Sequence, residues 1–405
     1  MRLLLILLWM RLWLPAAADV EAGDWWKHWP EGGGLVFEDQ ESAWLQSLHV
    51  GGYAHVQAAH VDGDAGGGGL SYTRRSDWRR VRGVVKGRVL RALDFNIHLN
   101  LVQDEGAAGG GVEFDYHSVF LAELAVDLAR MIDLGDISSL QLGYGKRKLV
   151  ELSEEIDTSV NSILSVERSA LAGLLVPFRQ STAPTGAWVR MTRGDELVSL
   201  GVFTTDSSPE FGGWGGGRVF LASWRHDFSE SWGLDEALVS ITGGWQDAAA
   251  ADELYSQWEW VAAPWMRLGQ GRWGLRVSGA VGQNDGRLPG AGGAFGGAVV
   301  MPSFWLVEGR LQGVLRYAVM ASEGEAGLRL PSRYLREAGL AENGGLPLLA
   351  AGAGDFHESA YAGLVCTIVP EHFTLLAGLE WERLESRDVR VFQGVTAWFS
   401  TRLIF

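Results

Sequence analysis

Four basic side chains stand on one parity of a short run: Arg80, Arg82, Lys86 and Arg88. Val81, Gly83, Val85, Gly87 and Val89 fill the intervening positions. In an extended chain successive side chains point to opposite faces, and neighbours on one face repeat every ~6.6 Å. The run therefore predicts a β-strand with a broken ladder of cations on one face and small apolar groups on the other. Such a row lowers the barrier for an anion that has shed part of its hydration, provided the anion can also leave. After a tight connection near Arg91-Ala92, Leu93, Phe95, Ile97, Leu99 and Leu101 alternate with Asp94, Asn96, His98 and Asn100. Asp94 and His98 would either break up the field of the ladder or hold its arginines in place. The plainer alternative is a wet wall whose arginines pair with loop carboxylates.

Other chemistry finds less support. The nine histidines are dispersed, and neither His-x-x-x-His nor His-Glu-x-x-His occurs, so no metal site is expected. Gly-x-Ser-x-Gly is absent, and no spacing of Ser, His and Asp singles out a triad. Glu154-Glu155 lies on loop-like sequence, where ordinary carboxylate acidity is the default. The glycine tracts lack the Lys-Ser/Thr ending of a phosphate-cradling loop and read as loops. No enzyme activity and no cofactor are expected. The formal net charge of −15 argues against nucleic acid, whose phosphates demand a basic face. Cys366 is the only cysteine, so no internal disulfide is possible; it sits in the strand-like run 362–369 as a small apolar wall residue.

Alternation of this kind recurs along the chain, at 48–57, 140–144, 188–192, 198–202, 273–281, 311–320, 361–369 and 373–381. Glycine-rich, acidic or proline-containing stretches separate the runs, among them 62–69, 104–111, 212–217, 284–297 and 323–354. Mean hydropathy is +0.04, which fits strands apolar on one face and polar on the other. Beyond the N-terminus no apolar run reaches the ~20 residues of a spanning helix. A chain of this kind enters a membrane only as a closed barrel, since hydrocarbon offers no partner to an open sheet edge. The fold class is therefore all-β: a transmembrane antiparallel β-barrel of about 16 strands, over residues 47–405. The stretch Phe120 to Ile132 suits either a strand or a helix. Residues 1–18, with Arg2, an apolar core and Ala16-Ala17-Ala18, read as a signal peptide. Residues 19–46 read as a Trp-rich periplasmic segment, with Trp25, Trp26 and Trp29 placed as interfacial anchors or as a plug at the barrel mouth.

The last run, 389–405, carries Val389, Val391, Val395, Ala397, Phe399, Leu403 and Phe405 on one face. Arg390, Thr396, Ser400 and Arg402 lie on the other, with Phe392, Trp398 and Ile404 as exceptions. Ending on an aromatic inside a strand resembles the closing strand of bacterial outer-membrane barrels. That resemblance implies that Phe405 belongs to the signal read by the barrel-assembly machinery. Upstream, 72–90 (YTRRSDWRRVRGVVKGRVL) resembles the early basic hairpin of the phosphate-selective porin O and P family. Leu140 to Lys148 is similar to that family's strand ending in G-x-x-K-x-P, although Leu149-Val150 stands where the proline is expected. Ser165 to Ser169 is similar to its T-F-x-E-R stretch in the third loop.

The resemblance implies an outer-membrane porin of a Gram-negative-type bacterium, a homotrimer in lipid, with a long third loop folded into the pore. Lys146, Arg147 and Lys148 would stand at the root of that loop, and Glu167 and Arg168 at the constriction. The expected function is passive diffusion of small hydrophilic solutes, leaning to anions such as phosphate. A weakly selective general porin and a secreted all-β binding or adhesion protein without a pore are the alternatives.

Overall fold

The computed structural model describes residues 34–65, 68–102, 114–176, 183–206, 208–250, 253–330, 334–335 and 353–405. The expected signal peptide and the tryptophans at 25, 26 and 29 lie outside the described residues.

The first strand, β1 (Gly34–Glu38), is followed by two long strands, β2 (Leu45–Ala65) and β3 (Gly68–Val89). Six shorter ones come next: β4 (Leu93–Asn100), β5 (Ser118–Asp127), β6 (Ile137–Lys146), β7 (Thr185–Arg193), β8 (Glu196–Thr204) and β9 (Arg218–Asp227). Then come β10 (Glu236–Asp247), β11 (Trp258–Gln270), β12 (Trp273–Asn284), β13 (Gly293–Val307) and β14 (Leu311–Ser322). The pair β15 (Leu328–Arg329) and β16 (Ala353–Gly354) sits in a long loop before β17 (Phe356–Val369), β18 (Phe373–Ser386) and β19 (Val389–Ile404). Each long strand pairs antiparallel with its neighbour, and β19 pairs back onto β2 from Ile404↔Tyr53 to Phe392↔Ala65. The sheet has 17 strands with β1 outside the ring, so sixteen close the barrel. Closure pairs the strands of the ring from within the chain, as hydrocarbon requires.

The seam ends on Phe405, whose N–H donates to the Gly52 carbonyl at 2.9 Å while Gly52 N–H donates back at 2.6 Å. A Cβ on Gly52 would run into the Arg82 carbonyl and the Phe405 ring, so glycine there leaves room for the aromatic. β1 takes up the edge of β2 below that point, pairing Gly34↔Val50 to Glu38↔Ser47. The first strand of the ring begins at Leu45, and 34–38 runs along β2 outside the ring.

Alternation sets the faces. Leu142, Leu200, Ile241, Leu315, Leu364, Leu379 and Phe399 point outward and are exposed. Aromatic residues flank this belt: Phe220, Trp245 and Trp260 lie side by side at the long-loop end of β9–β11, and Trp273 packs on Phe304 at the short-turn end. An apolar belt between two aromatic girdles is the outer surface of a transmembrane barrel. Cys366 also lies on the outer parity, as expected of a wall residue. Phe120 to Ile132 resolves as strand up to Asp127, followed by one 3-10 turn at Leu128–Arg130.

Burying an arginine in the belt should be costly. Leu379→Arg, at the middle of β18, is expected to lower unfolding free energy by roughly 2–4 kcal/mol. Urea unfolding in detergent or lipid, read by heat-modifiable gel mobility, checks it; an unchanged midpoint would reverse the assigned orientation.

Candidate functional site: the third loop and the lumenal wall

Between β6 and β7 the described residues 147–176 turn into the barrel. Their sequence explains why. Leu149, Leu152, Ile156, Val166, Leu171, Leu174 and Leu175 are too apolar for a solvated loop, and all are buried in one cluster. The other half of that cluster comes from inward positions of the wall, including Trp258, Val299, Met301, Val314, Met320, Tyr361 and Trp398. Ser153 caps the one-turn helix Glu154–Asp157, and Ser169 caps Ala170–Leu175.

The five carboxylates of residues 147–176 all meet guanidinium groups. Glu154 accepts from Arg267 at 3.0 Å and lies 3.3 Å from Arg276. Asp157 meets Arg225 at 2.8 Å and Arg267 at 3.4 Å. Glu155 lies 3.1 Å from Arg316, which also donates to Ser165 Oγ (2.9 Å), the Glu167 carbonyl (2.8 Å) and Glu380 (2.6 Å). Glu167 accepts from Arg79 at 2.8 Å and stands 3.7 Å from Arg80. Glu151 pairs with Arg147 at the loop's own root. Further hydrogen bonds complete the attachment: Thr242 and Trp265 donate to the Glu151 carbonyl, Asn161 meets His55 Nε2 at 2.8 Å, and the Arg402 guanidinium donates to the carbonyls of Ile163 and Ser165.

The basic ladder is present and faces inward, but its members do different things. Arg80 and Arg82 are buried, whereas Lys86 and Arg88 are partly exposed lower in the lumen. Arg82 donates to Asn100 and Tyr53 and stacks 3.4 Å from the Phe120 ring centroid. Arg88 pairs with Asp94 at 2.7 Å, so Asp94 holds an arginine, and His98 bonds Asn96 at 3.0 Å. A bulge in β3 (His55↔Arg80, then Val56↔Trp78) turns Arg79 inward beside Arg80. Strict alternation places Arg79 on the outer face; the bulge is why it becomes the first partner of Glu167.

The loop-root residues also diverge. Lys146 turns away from the loop and donates to the carbonyls of Ser208, Pro209 and Glu210 in the next long loop. Arg147 lies over the Trp188 ring at 5.1 Å and reaches Glu151. Lys148 donates to the Ile156 carbonyl, and Arg168 to the carbonyls of Glu155 and Thr158. Glu167 and Arg168 therefore do not form a mutual pair; one faces the wall and the other turns into the loop. Burial, and next the Arg168 guanidinium, push the Lys148 ammonium well below its ordinary lysine value, with Arg82 and Arg80 adding to the effect and Asp157 opposing it. Sequence reasoning missed Arg225, Arg267, Arg276 and Arg316. The available signal was a lone arginine on the inward parity of strand after strand.

Two solved structures share this architecture. The outer membrane channel DcaP of Acinetobacter baumannii superposes with a TM-score of 0.55 at 12% identity, covering 91% of this chain and 99% of that one. An anion-selective porin from Comamonas acidovorans gives 0.52 at 12% identity, covering 89% and 99%. The fold is that of a porin. At this identity the likeness extends to the porin architecture and no further. No protein-family model and no curated protein matches the chain.

Arg316→Met leaves Glu155 and Glu380 buried without their guanidinium. It is expected to cost about 3–5 kcal/mol, read as a lowered urea midpoint; a wild-type midpoint would mean that loop and wall are not coupled through this residue.

Proposed function

We propose that the chain is an outer-membrane channel for passive diffusion of small hydrophilic solutes, leaning to anions such as phosphate. The observation that carries this reading is the loop inside the barrel. Its carboxylates are all committed to guanidinium groups, while Lys148 and Arg168, both partly exposed, are held by backbone carbonyls. The Arg168 guanidinium, and Lys148 where it is protonated, thus leave positive charge on the loop, and Lys86 adds to it below. Fixed cations along a narrowed lumen favour anions. The resemblance of 72–90 and 140–148 to the phosphate-selective family leans the same way. So does the solved porin from Comamonas acidovorans, which is itself described as anion-selective. The family resemblance supports a homotrimer in outer-membrane lipid, and the resemblance of 389–405 to the closing strand of outer-membrane barrels supports Phe405 being read by the assembly machinery.

A second reading, a weakly selective general porin, is favoured by the balance of charges elsewhere on the wall and loop. Glu123 of β5, Asp157 of loop 3 and Glu236 of β10 stand against Arg147, Arg225 and Arg267. The zero-current potential of purified protein in a planar bilayer under a salt gradient separates the two. The anion reading expects a preference for the anion that grows in Glu167→Gln, which removes one negative charge beside Arg79 and Arg80. A preference for cations, or none, would favour the general porin.

The reading also fixes a pH dependence. A lysine whose value is depressed is charged only below that lowered value. The share of anion preference carried by Lys148 should be full at low pH and be lost as pH rises, before the ordinary lysine range is reached. Lys148→Met should abolish this step, and a step that persists in the variant belongs to another group.

A further inference from the structure

The outer belt is not smooth. Between β12 and β19 it carries a groove of about 700 Å³ that opens to the lipid side. Small outward residues from successive strands line its floor: Gly313 of β14, Ala362 of β17, Ala377 of β18 and Ala397 of β19. Each faces a large side chain across the ladder, as in Gly313↔Leu364, Ala362↔Leu379 and Ala377↔Phe399, so the small residues follow one another diagonally. Leu364 and Leu379 stand as ridges beside them, and Trp273, packed on Phe304, closes one end.

The two ends fix how deep the groove reaches. Trp273 is the first residue of β12, in the girdle at the short-turn end, whereas Ala397 lies half-way along β19. The line between them crosses five strand-to-strand steps, and at the usual strand spacing that is roughly 24 Å. Barrel strands tilt by roughly 35–45°, so a line across them climbs the wall as it goes round. The groove therefore runs from the short-turn girdle to mid-wall, which is the depth of one leaflet.

The rim at its lower end is charged. Arg272 directly precedes Trp273, and Arg310 lies in the turn that leads into β14; both are exposed, and neither has an ion pair among the described residues. Arg310 donates to the Ile368 carbonyl at 2.8 Å, which holds its guanidinium beside β17. Glu308 shares the turn of Arg310, and Glu371 lies on the next one. Guanidinium groups with carboxylates beside them complement a phosphate esterified to an ammonium alcohol.

From this placement we propose that the groove is a binding site for a zwitterionic glycerophospholipid of the short-turn leaflet. One acyl chain lies over Gly313, Ala362, Ala377 and Ala397, and the phosphate meets Arg272 and Arg310. A second copy of this chain would press on the whole height of the belt, and the groove occupies only its lower half. The inference rests on the outer wall alone and stands apart from what the lumen passes.

The test is native mass spectrometry of the purified barrel in detergent with added palmitoyl-oleoyl phosphatidylethanolamine. Ala362→Leu with Ala377→Leu fills the groove and keeps the belt apolar; Ala222→Leu, exposed on β9 of another wall, is the control. Wild type and the control should retain one lipid per chain that the filled variant loses. Arg272→Gln with Arg310→Gln should lower retention of the phospholipid and leave that of the diacylglycerol with the same chains unchanged. Heat-modifiable mobility shows that each barrel is folded, and if the double leucine variant is not, Ala377→Leu alone decides by the same readout. Equal retention in wild type and the filled variant overturns the proposal, as does equal loss in the control. Phospholipid retention unchanged by the arginine substitutions overturns the assignment of the headgroup. A filled variant that keeps its lipid but changes oligomeric state by light scattering would assign the groove to a second copy instead.

Discussion

The lumen is organised by buried guanidinium groups of the wall meeting carboxylates of loop 3. Arg316 is the clearest case, since one side chain contacts Glu155, Ser165, the Glu167 carbonyl and Glu380. A carboxylate carried alone into a barrel would be strongly disfavoured, and so would an arginine facing an apolar loop. Together they remove each other's penalty, and the leucine-rich remainder of the loop gains burial against inward Trp258, Met301 and Trp398. Neither half explains the fold without the other. The wall's inward apolar residues have no reason to exist unless something packs on them, and the loop has no stable place outside.

This pairing changes what a basic ladder means. Read on β3 alone, Arg80, Arg82, Lys86 and Arg88 form a track for anions. In the barrel, Arg79 and Arg80 engage Glu167, Arg82 packs on Phe120, and Arg88 engages Asp94. Holding the loop and attracting a solute are different uses of the same charge, and a guanidinium committed to the first contributes less to the second. The remaining positive charge rests with Arg168 and, where it is protonated, Lys148, both tied to loop carbonyls, and with Lys86 lower in the lumen.

The strands are legible because lipid on one side and a wet lumen on the other impose a period of two that a single sequence displays. β19 shows both the strength and the limit of that signal. Alternation places Val395, Phe399 and Leu403 outward, where they are exposed; Phe392 and Trp398 break the pattern because they face the loops inside the barrel. Those exceptions are the visible trace of the inserted loops. Arg79 escapes placement because a bulge shifts parity by one residue without any mark in composition. Lys146 is grouped by sequence with its two basic neighbours, but it ends a strand and turns to a different loop. The arginines opposite the ladder are hidden for another reason. They come one to a strand, far apart in sequence, and only closure of the ring brings them around loop 3.

The direct test is a covalent one. Ser153 of loop 3 and Ser278 of β12 are buried with their hydroxyl oxygens 3.4 Å apart. In a Cys366→Ser background, Ser153→Cys with Ser278→Cys should form a disulfide on mild oxidation of the folded barrel, visible as a reductant-sensitive change in gel mobility. Formation of that bridge in protein that still conducts would fix loop 3 against the wall during function. Two thiols that stay free and react with a water-soluble maleimide would contradict the account.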